Sequence, residues 1–338
     1  MRPLLIEGWS LGRRLALAVL LLSGLLALAF LLGISLGSSP IAFPEVLDIL
    51  TGRGAVDPTT AAIVREIRLP RVLLAAVTGA TLALGGLVFQ ALLRNPLAEP
   101  YILGISGGSA IGAIVGMLAG LAPFPGVTAT AFAGSILVLL LLLMLSGRGM
   151  LAGRDALLLG GVMLNAFCGA VIMFLISLSS REEVQHIIFW LMGDLSMFTP
   201  AQLPLLAGVL PSFVLILALA RPMNLMLLGR DNAAALGVNV RLVTALLLFA
   251  TTLMVSLVVC QAGLIGFVGL VIPHVLRLLF GSDHRLLAPA SILGGASYLI
   301  LCDLLARSLP AQGEMPVGIV TALVGAPLFI FLLWRARR

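Results

Sequence analysis

LLAAVTGATLALGGLVFQAL, residues 73–92, runs for twenty positions without a charged side chain. A helix rises 1.5 Å per residue, so a run of this length crosses the ~30 Å hydrocarbon core of a bilayer. Nine more runs of the same kind occupy 15–34, 101–121, 127–145, 156–178, 203–220, 242–260, 264–280, 286–305 and 317–334. Charged residues fall almost entirely in the gaps between them. Ten spans of about twenty residues use about 200 positions, and the remaining connections are short. The expected architecture is an all-α integral membrane protein, with about ten transmembrane helices in one bundle and a single transmembrane unit over 1–338.

Composition agrees with that solvent. The chain is 61% hydrophobic and only 10% charged, whereas soluble domains carry about a quarter charged residues. Net charge is +6, and every basic side chain is arginine. The basic balance reads as a topology signal and not as a nucleic-acid footprint. Cys168, Cys260 and Cys302 all lie in apolar runs, where cysteine behaves as a small hydrophobe. The first run follows Arg13 and Arg14 but is longer than a signal-peptide core and lacks a small-x-small cleavage site. It is expected to be a retained span.

Arginine placement sets the expected orientation. With the N-terminus inside, six of the 20 basic residues fall outside: Arg53, Arg65, Arg68, Arg71, Arg181 and Arg307. The rest fall inside, as the positive-inside rule requires, and an even number of spans returns the C-terminus to the cytoplasm. Two outside connections contain apolar spacing suited to short surface helices: IAFPEVLDIL at 41–50 and REEVQHIIFWLMG at 181–193, the latter with Trp190 as an interfacial anchor. The longest inside connection is 221–241, RPMNLMLLGRDNAAALGVNVR. Pro222 marks the end of the preceding span. Gly229 and Gly237 break the segment into one or two short helices, an amphipathic shape suited to docking on another protein.

Small residues are dense inside the spans. Gly104, Gly108, Gly112, Gly116 and Gly120 repeat every four positions, the spacing that lets helix backbones approach closely in lipid. Candidate chemistry is sparse. Asp303 is the one acid clearly inside a span, and Arg307 stands one turn later, the geometry of a local ion pair. Gln90 and Asn165 are intramembrane amides able to bond between helices. His186, His274 and His284 are scattered with no metal-ligand spacing. The chain has no P-loop and no lysine to build one, so energy from ATP has to come from a partner.

Particular strings are more specific. RLPRVLLAAVTGATLALGG (68–86) leads into FQALLRNPLAEPYILGISGGSAIG (89–112). LGRDNAAALGV (228–238), GLIGFVGLVIPHVLRLLFGSDHR (263–285) and DLLARSLPAQGEMPVGIVTALVGAPLFIFLL (303–333) follow in order. Across nearly the whole chain the sequence resembles the permease subunit of bacterial ABC importers for iron–siderophore complexes, haem and cobalamin. The resemblance implies a homodimer in the bacterial cytoplasmic (inner) membrane, two cytoplasmic ATPase subunits that carry ATP and Mg, and an external substrate-binding protein. It implies no catalytic residue, metal or cofactor on this chain. Cargo would pass between the two permeases by alternating access.

The same resemblance implies site residues. Leu225, Leu228, Gly229, Ala235, Leu236 and Gly237 would form the ATPase-coupling surface, in agreement with the length and inside placement of 221–241. Arg68, Arg71 and Arg307 would dock acidic groups of the binding protein; headgroup anchoring and simple pairing of Arg307 with Asp303 are the local alternatives. Met163, Asn165, Phe167 and Met173, with parts of the tenth span, would line a route of few charges. Ala152, Gly153, Arg154 and Asp155 would close its inner gate. An iron–siderophore cargo is expected on frequency, with cobalamin and haem as alternatives. A secondary transporter would need midplane coupling charges that the spans do not offer, and a membrane enzyme would need a nucleophile or metal set.

Overall fold

The structure, a computed structural model, describes residues 9–37, 41–52, 57–145, 154–310 and 313–336. Among the described residues every regular element is helical. Helix α1 is Leu11–Ser35 and α2 is Phe43–Thr51. Helix α3, Pro58–Ala62, passes through a wide turn at Ile63–Arg68 into α4, Leu69–Leu93. Next come α5 (Ile105–Leu118), α6 (Thr128–Leu145), α7 (Arg154–Leu178) and α8 (Arg181–Leu191). Helices α9 (Leu203–Leu206) and α10 (Leu210–Ala218) are joined by a tight turn. Two short helices, α11 (Ala220–Leu227) and α12 (Arg230–Ala235), precede α13 (Val240–Ala262). The chain ends with α14 (Val268–Phe280), α15 (His284–Ser308) and α16 (Val317–Ala336).

Among the described residues, seven helical stretches are long and apolar enough to cross a membrane, and three apolar helices are shorter: Ile105–Leu118, Val268–Phe280 and Val317–Leu332. Two of the expected spans, 101–121 and 264–280, are therefore trimmed. Helix α5 has 14 residues and α14 has 13, about 20 Å each at helical rise. The causes are local. Before α5, Pro100–Leu103 forms a tight 3₁₀ turn and Gly104 takes φ +78°. Before α14, Phe267 itself adopts a left-handed conformation, φ 69°. Left-handed backbone cannot continue a right-handed helix. The expected span 203–220 is likewise interrupted, at Ala207–Val209.

The two connections read as surface helices are helices. Helix α2 buries Val46 and Ile49. Helix α8 opens with a capping box in which Ser180 and Glu183 serve each other's backbone N–H, and those bonds hold the Glu183 carboxyl below its ordinary range.

Helix α4 is the axis of the bundle. It packs on α15, α14 and α13, and α15 packs in turn on α1. Glycines set these crossings. A Cβ at Gly79 would overlap the Gly295 carbonyl of α15, and one at Gly86 would overlap Gly269 of α14. Helices α5 and α6 meet in the same way, with Gly108 against Gly134 and Gly112 against Thr130. Three members of the every-fourth-residue stripe, Gly108, Gly112 and Gly116, thus serve one helix crossing, while Gly104 and Gly120 terminate helices with φ of +78° and +68°.

The helix ends sort into two groups. Arg94, just past α4, donates to the Met226 carbonyl of α11, and the α14–α15 turn also touches α11 through Asn224. At the opposite end the C-terminus of α1, the start of α4 and the end of α15 converge.

Candidate functional site

Three regions carry the residues singled out from the sequence. The first is the α11–α12 surface. Met223 and Ala233 anchor it inward, while Leu228 and Leu236 are each 60% exposed. Gly229 joins the two helices at φ +119°, and Gly237 closes α12 at φ +86°. At that end Val238 N–H reaches the Ala233 carbonyl (3.0 Å) and Gly237 N–H the Ala234 carbonyl (2.9 Å), a Schellman closure that favours glycine at its left-handed position. Leu225 is half-buried, whereas Ala235, Leu236 and Gly237 are exposed. Pro222 lies in the first turn of α11, where its missing N–H costs little.

A clamp fixes this surface to the bundle. Asn224 Nδ2 donates to Asp283 Oδ1 (2.7 Å), and the His284 backbone N–H donates to Asn224 Oδ1 (2.9 Å). His284 Nδ1 lies 2.7 Å from the same oxygen. Arg285 closes on Asp283 at 2.6 Å. Burial pushes the Asp283 carboxyl up, but the hydrogen bonds from Arg285 and Asn224 outweigh it and hold the group at about 2. Sequence reading missed Asn224 and Asp283 as a pair; the one signal was an Asp directly before a span, the position of an N-cap.

The second region lies at the opposite end. Arg68, Arg71 and Arg307 are not a free charged patch there: each is less than a tenth exposed. Arg68 Nη1 donates to the Ile34 and Ser35 carbonyls (2.8 and 3.0 Å), and Arg307 Nη2 donates to Gly33 O (3.0 Å). These are last-turn carbonyls of α1, which lack intrahelical donors and carry the negative end of the helix dipole. Arg71 Nε meets Asp303 Oδ1 at 2.9 Å, and its Nη1 meets Glu314 Oε2 at 2.5 Å. Arg307 Nε stands 3.1 Å from Asp303 Oδ2. The anticipated Asp303–Arg307 pair is present, but Asp303 bridges two guanidinium groups. Three arginines that depart from the positive-inside pattern thus have an internal reason to be where they are.

The third region is the proposed route. Met163 and Phe167 are 59% and 63% exposed and share one stripe of α7. Met173 is 67% exposed and lies about 80° round the helix from Met163 and about 120° from Phe167, at about 100° per residue. Asn165 is about 200° from Met163 by the same measure. It lies on the edge that meets the start of α5, against Gly104 and Gly107. The four residues therefore do not form one lining: Asn165 belongs with the 94–104 link, and Met163 and Phe167 with the outer apolar face. Leu323, Val324, Leu328, Ile330 and Phe331 of α16 form a second exposed apolar face. A depression of about 360 Å³ lies between the end of α8, Leu264 and the start of α16. Of the inner-gate residues, Ala152 and Gly153 lie outside the described residues, and Arg154 and Asp155 open α7.

One acid in this region was missed from the sequence. Glu99 Oε1 accepts the Phe267 N–H (3.1 Å) at the start of α14. Beside it Tyr101 OH donates to Ile265 O (2.7 Å) and accepts from Ile265 N (2.9 Å). Nearby, Gln90 donates to Gly269 O (3.1 Å) and accepts from Arg277 Nη2 (3.0 Å). No group of three His, Cys, Asp or Glu side chains able to hold a metal ion occurs among the described residues.

The overall helical arrangement is matched among known proteins. The FecCD transport family matches residues 25–335. The chain belongs to that family. The vitamin B12 import system permease protein BtuC of Shigella boydii serotype 18 is 40% identical, with 95% of each chain covered. The ABC transporter permease protein YvrB of Bacillus subtilis (strain 168) is 40% identical over 93% of this chain and 92% of its own. A solved structure described as an inward-facing conformation of a metal-chelate type ABC transporter matches at TM-score 0.84 and 32% identity, covering 95% of this chain and 99% of the other. PsaBC from Streptococcus pneumoniae in complex with Fab shares the fold at TM-score 0.55 and 18% identity. The protein is a multi-pass membrane permease of the ABC importer type.

Proposed function

We propose that this chain is the membrane subunit of an ATP-driven importer that moves a bulky metal chelate inward across the bacterial cytoplasmic membrane. The observation that carries the reading is the α11–α12 surface. It exposes Leu228 and Leu236 to open space while Asn224, Asp283 and Arg94 tie its inner side to the bundle. Such a surface transmits a push from a docked protein. The partners in this reading are a second copy of the chain, two ATPase subunits on the α11–α12 side, and a binding protein on the opposite side. The termini then lie in the cytoplasm, and cargo passes between the two copies.

The arginine cluster takes part in the binding-protein contact only by exchange. Glu314 is 46% exposed at its side chain and holds Arg71, so an acidic group on a docked partner would compete with Glu314 for it. Complementary charge of this kind mainly raises association rate and is screened by salt. A binding protein whose association keeps its salt dependence after Arg71→Ala and Glu314→Gln would overturn that contact.

Cargo identity rests on the relatives. The sequence favours an iron–siderophore complex on frequency, but relatives at 40% identity carry the name of vitamin B12 permeases, so cobalamin becomes the first cargo to test. The experiment is reconstitution of the permease with its ATPase and binding protein, followed by ATP-dependent uptake of labelled cobalamin, ferric siderophore and haem. Uptake that proceeds without ATP would sink the reading. Replacement of Gly229 by Val or Ala235 by Trp tests the coupling surface: hydrolysis continues while uptake fails.

A further inference from the structure

The link between α4 and α5 carries a carboxylate into the bundle. Glu99 immediately precedes Pro100, and a Cβ at Gly85 of α4 would lie 3.1 Å from Pro100 Cγ. Gly85 stands eight residues before the end of α4, about 12 Å along its axis at helical rise. Glu99 therefore sits well inside the span of α4 and not at its rim. One oxygen caps α14 through Phe267 N–H. The other has no partner among the described residues, and it is not among the enclosed polar atoms left without a bond. That oxygen is therefore not fully enclosed, in a residue that is itself half-buried.

Lipid does not accept such a group. An ionisable side chain within a membrane span faces protein or a water-filled cavity. The surroundings say which side is open. Pro100–Leu103 packs on α7, near Asn165, and Phe267 packs on Gly325 and Phe329 of α16. Helices α7 and α16 each bear an exposed apolar face, and Glu99 stands where the link that packs on α7 meets the start of α14 that packs on α16.

On the importer reading above, we propose that Glu99 is a polar station on the translocation route, whose free oxygen accepts hydrogen bonds from amide or hydroxyl donors on the rim of the chelate. Asn165, which meets the same link five residues on at Gly104, carries an amide able to donate or accept. A single acceptor in an otherwise weakly polar route holds a large cargo weakly and orients it, which suits passage better than retention.

The test uses the complete transporter, with its ATPase and binding protein, in proteoliposomes, and labelled cobalamin and ferric siderophore as probes. Glu99→Gln keeps an oxygen to accept the Phe267 N–H and removes the charge, whereas Glu99→Ala removes both. Expected is a tenfold or greater fall in uptake per ATP hydrolysed for the Gln variant, with its thermal unfolding unshifted, while the Ala variant also unfolds earlier. In parallel, Glu99→Cys reacts with a membrane-impermeant thiol reagent to an extent that changes with nucleotide state. Wild-type uptake by the Gln variant would reduce Glu99 to a helix cap and overturn the proposal, as would no labelling of the Cys variant in any state. Absence of uptake by the unaltered complex would instead overturn the importer reading, before any variant is compared.

Discussion

Asp303→Ala separates a structural arginine cluster from a docking patch. The Asp303 carboxylate is fully buried, 2.9 Å from Arg71 Nε and 3.1 Å from Arg307 Nε. Its removal takes the shared carboxylate from two buried guanidinium groups: Arg71 keeps only Glu314, which is itself half open to solvent, and Arg307 keeps only the Gly33 carbonyl. Breaking a buried pair from one side costs about 3–5 kcal/mol, because the surviving charge keeps its desolvation penalty. Asp303→Asn retains an acceptor oxygen and loses the charge, so about 1–3 kcal/mol is expected. Arg307→Ala is milder than Asp303→Ala, since Asp303 keeps Arg71. The assay is SDS-induced unfolding of the permease in mixed micelles, followed by circular dichroism or tryptophan fluorescence. If Asp303→Ala costs less than about 1 kcal/mol, the magnitude of an exposed pair, the cluster is solvated and the argument fails. A cluster held free for docking would show the reverse pattern, with unchanged stability and tighter association with the binding protein.

Three further outcomes follow from the same geometry. Gly86→Leu drives a side chain into the Gly269 backbone and parts α4 from α14; the variant is expected to be lost from the membrane fraction, and normal yield and stability would count against the close crossing. Asn224→Ala removes a bond to a carboxylate and leaves the His284 N–H unpaired, about 2–4 kcal/mol of local anchoring; ATP hydrolysis by the assembled complex should continue while uptake per ATP falls, and full uptake would show that the clamp transmits nothing. Because the folded Asp283 group sits at about 2, below its ordinary 3.8, its contribution is complete above about 4 and is lost as pH falls through 2. The exchange protection of the His284 amide should then be the same at pH 7 and pH 4.5, and early loss of protection would contradict that ordering.

Sequence alone settled the solvent, the helical class, and much of the chain's punctuation. These depend on local quantities. Uninterrupted apolar length fixes a span, apolar spacing at 181–193 marks a surface helix, Gly229 and Gly237 break the 221–241 segment, and the i,i+4 spacing of Asp303 and Arg307 makes a pair that any helix would bring together. Family membership was also legible, because RNPLAEP and GFVGLVIPHVLR occur in order at fixed spacing. The half-length helices were not. Residues 101–121 and 264–280 read as ordinary spans, since apolarity does not report a left-handed Phe267 or a Pro100 lodged against Gly85.

The partners of the charged residues were decided only by the fold. Arg71 meets Asp303 across 232 positions, and Glu99 meets Phe267 across 168. In both cases tertiary packing around α4 brings the groups together. Hydropathy placed Glu99 in a loop, because it lies between two apolar runs, and placed three arginines at a rim, because they flank others. The structure draws that loop into the bundle, and turns Arg68 and Arg307 onto the last carbonyls of α1 and Arg71 onto Asp303 and Glu314. Burial of a charge is set by what covers it in three dimensions, and a linear pattern of apolar residues holds no record of that.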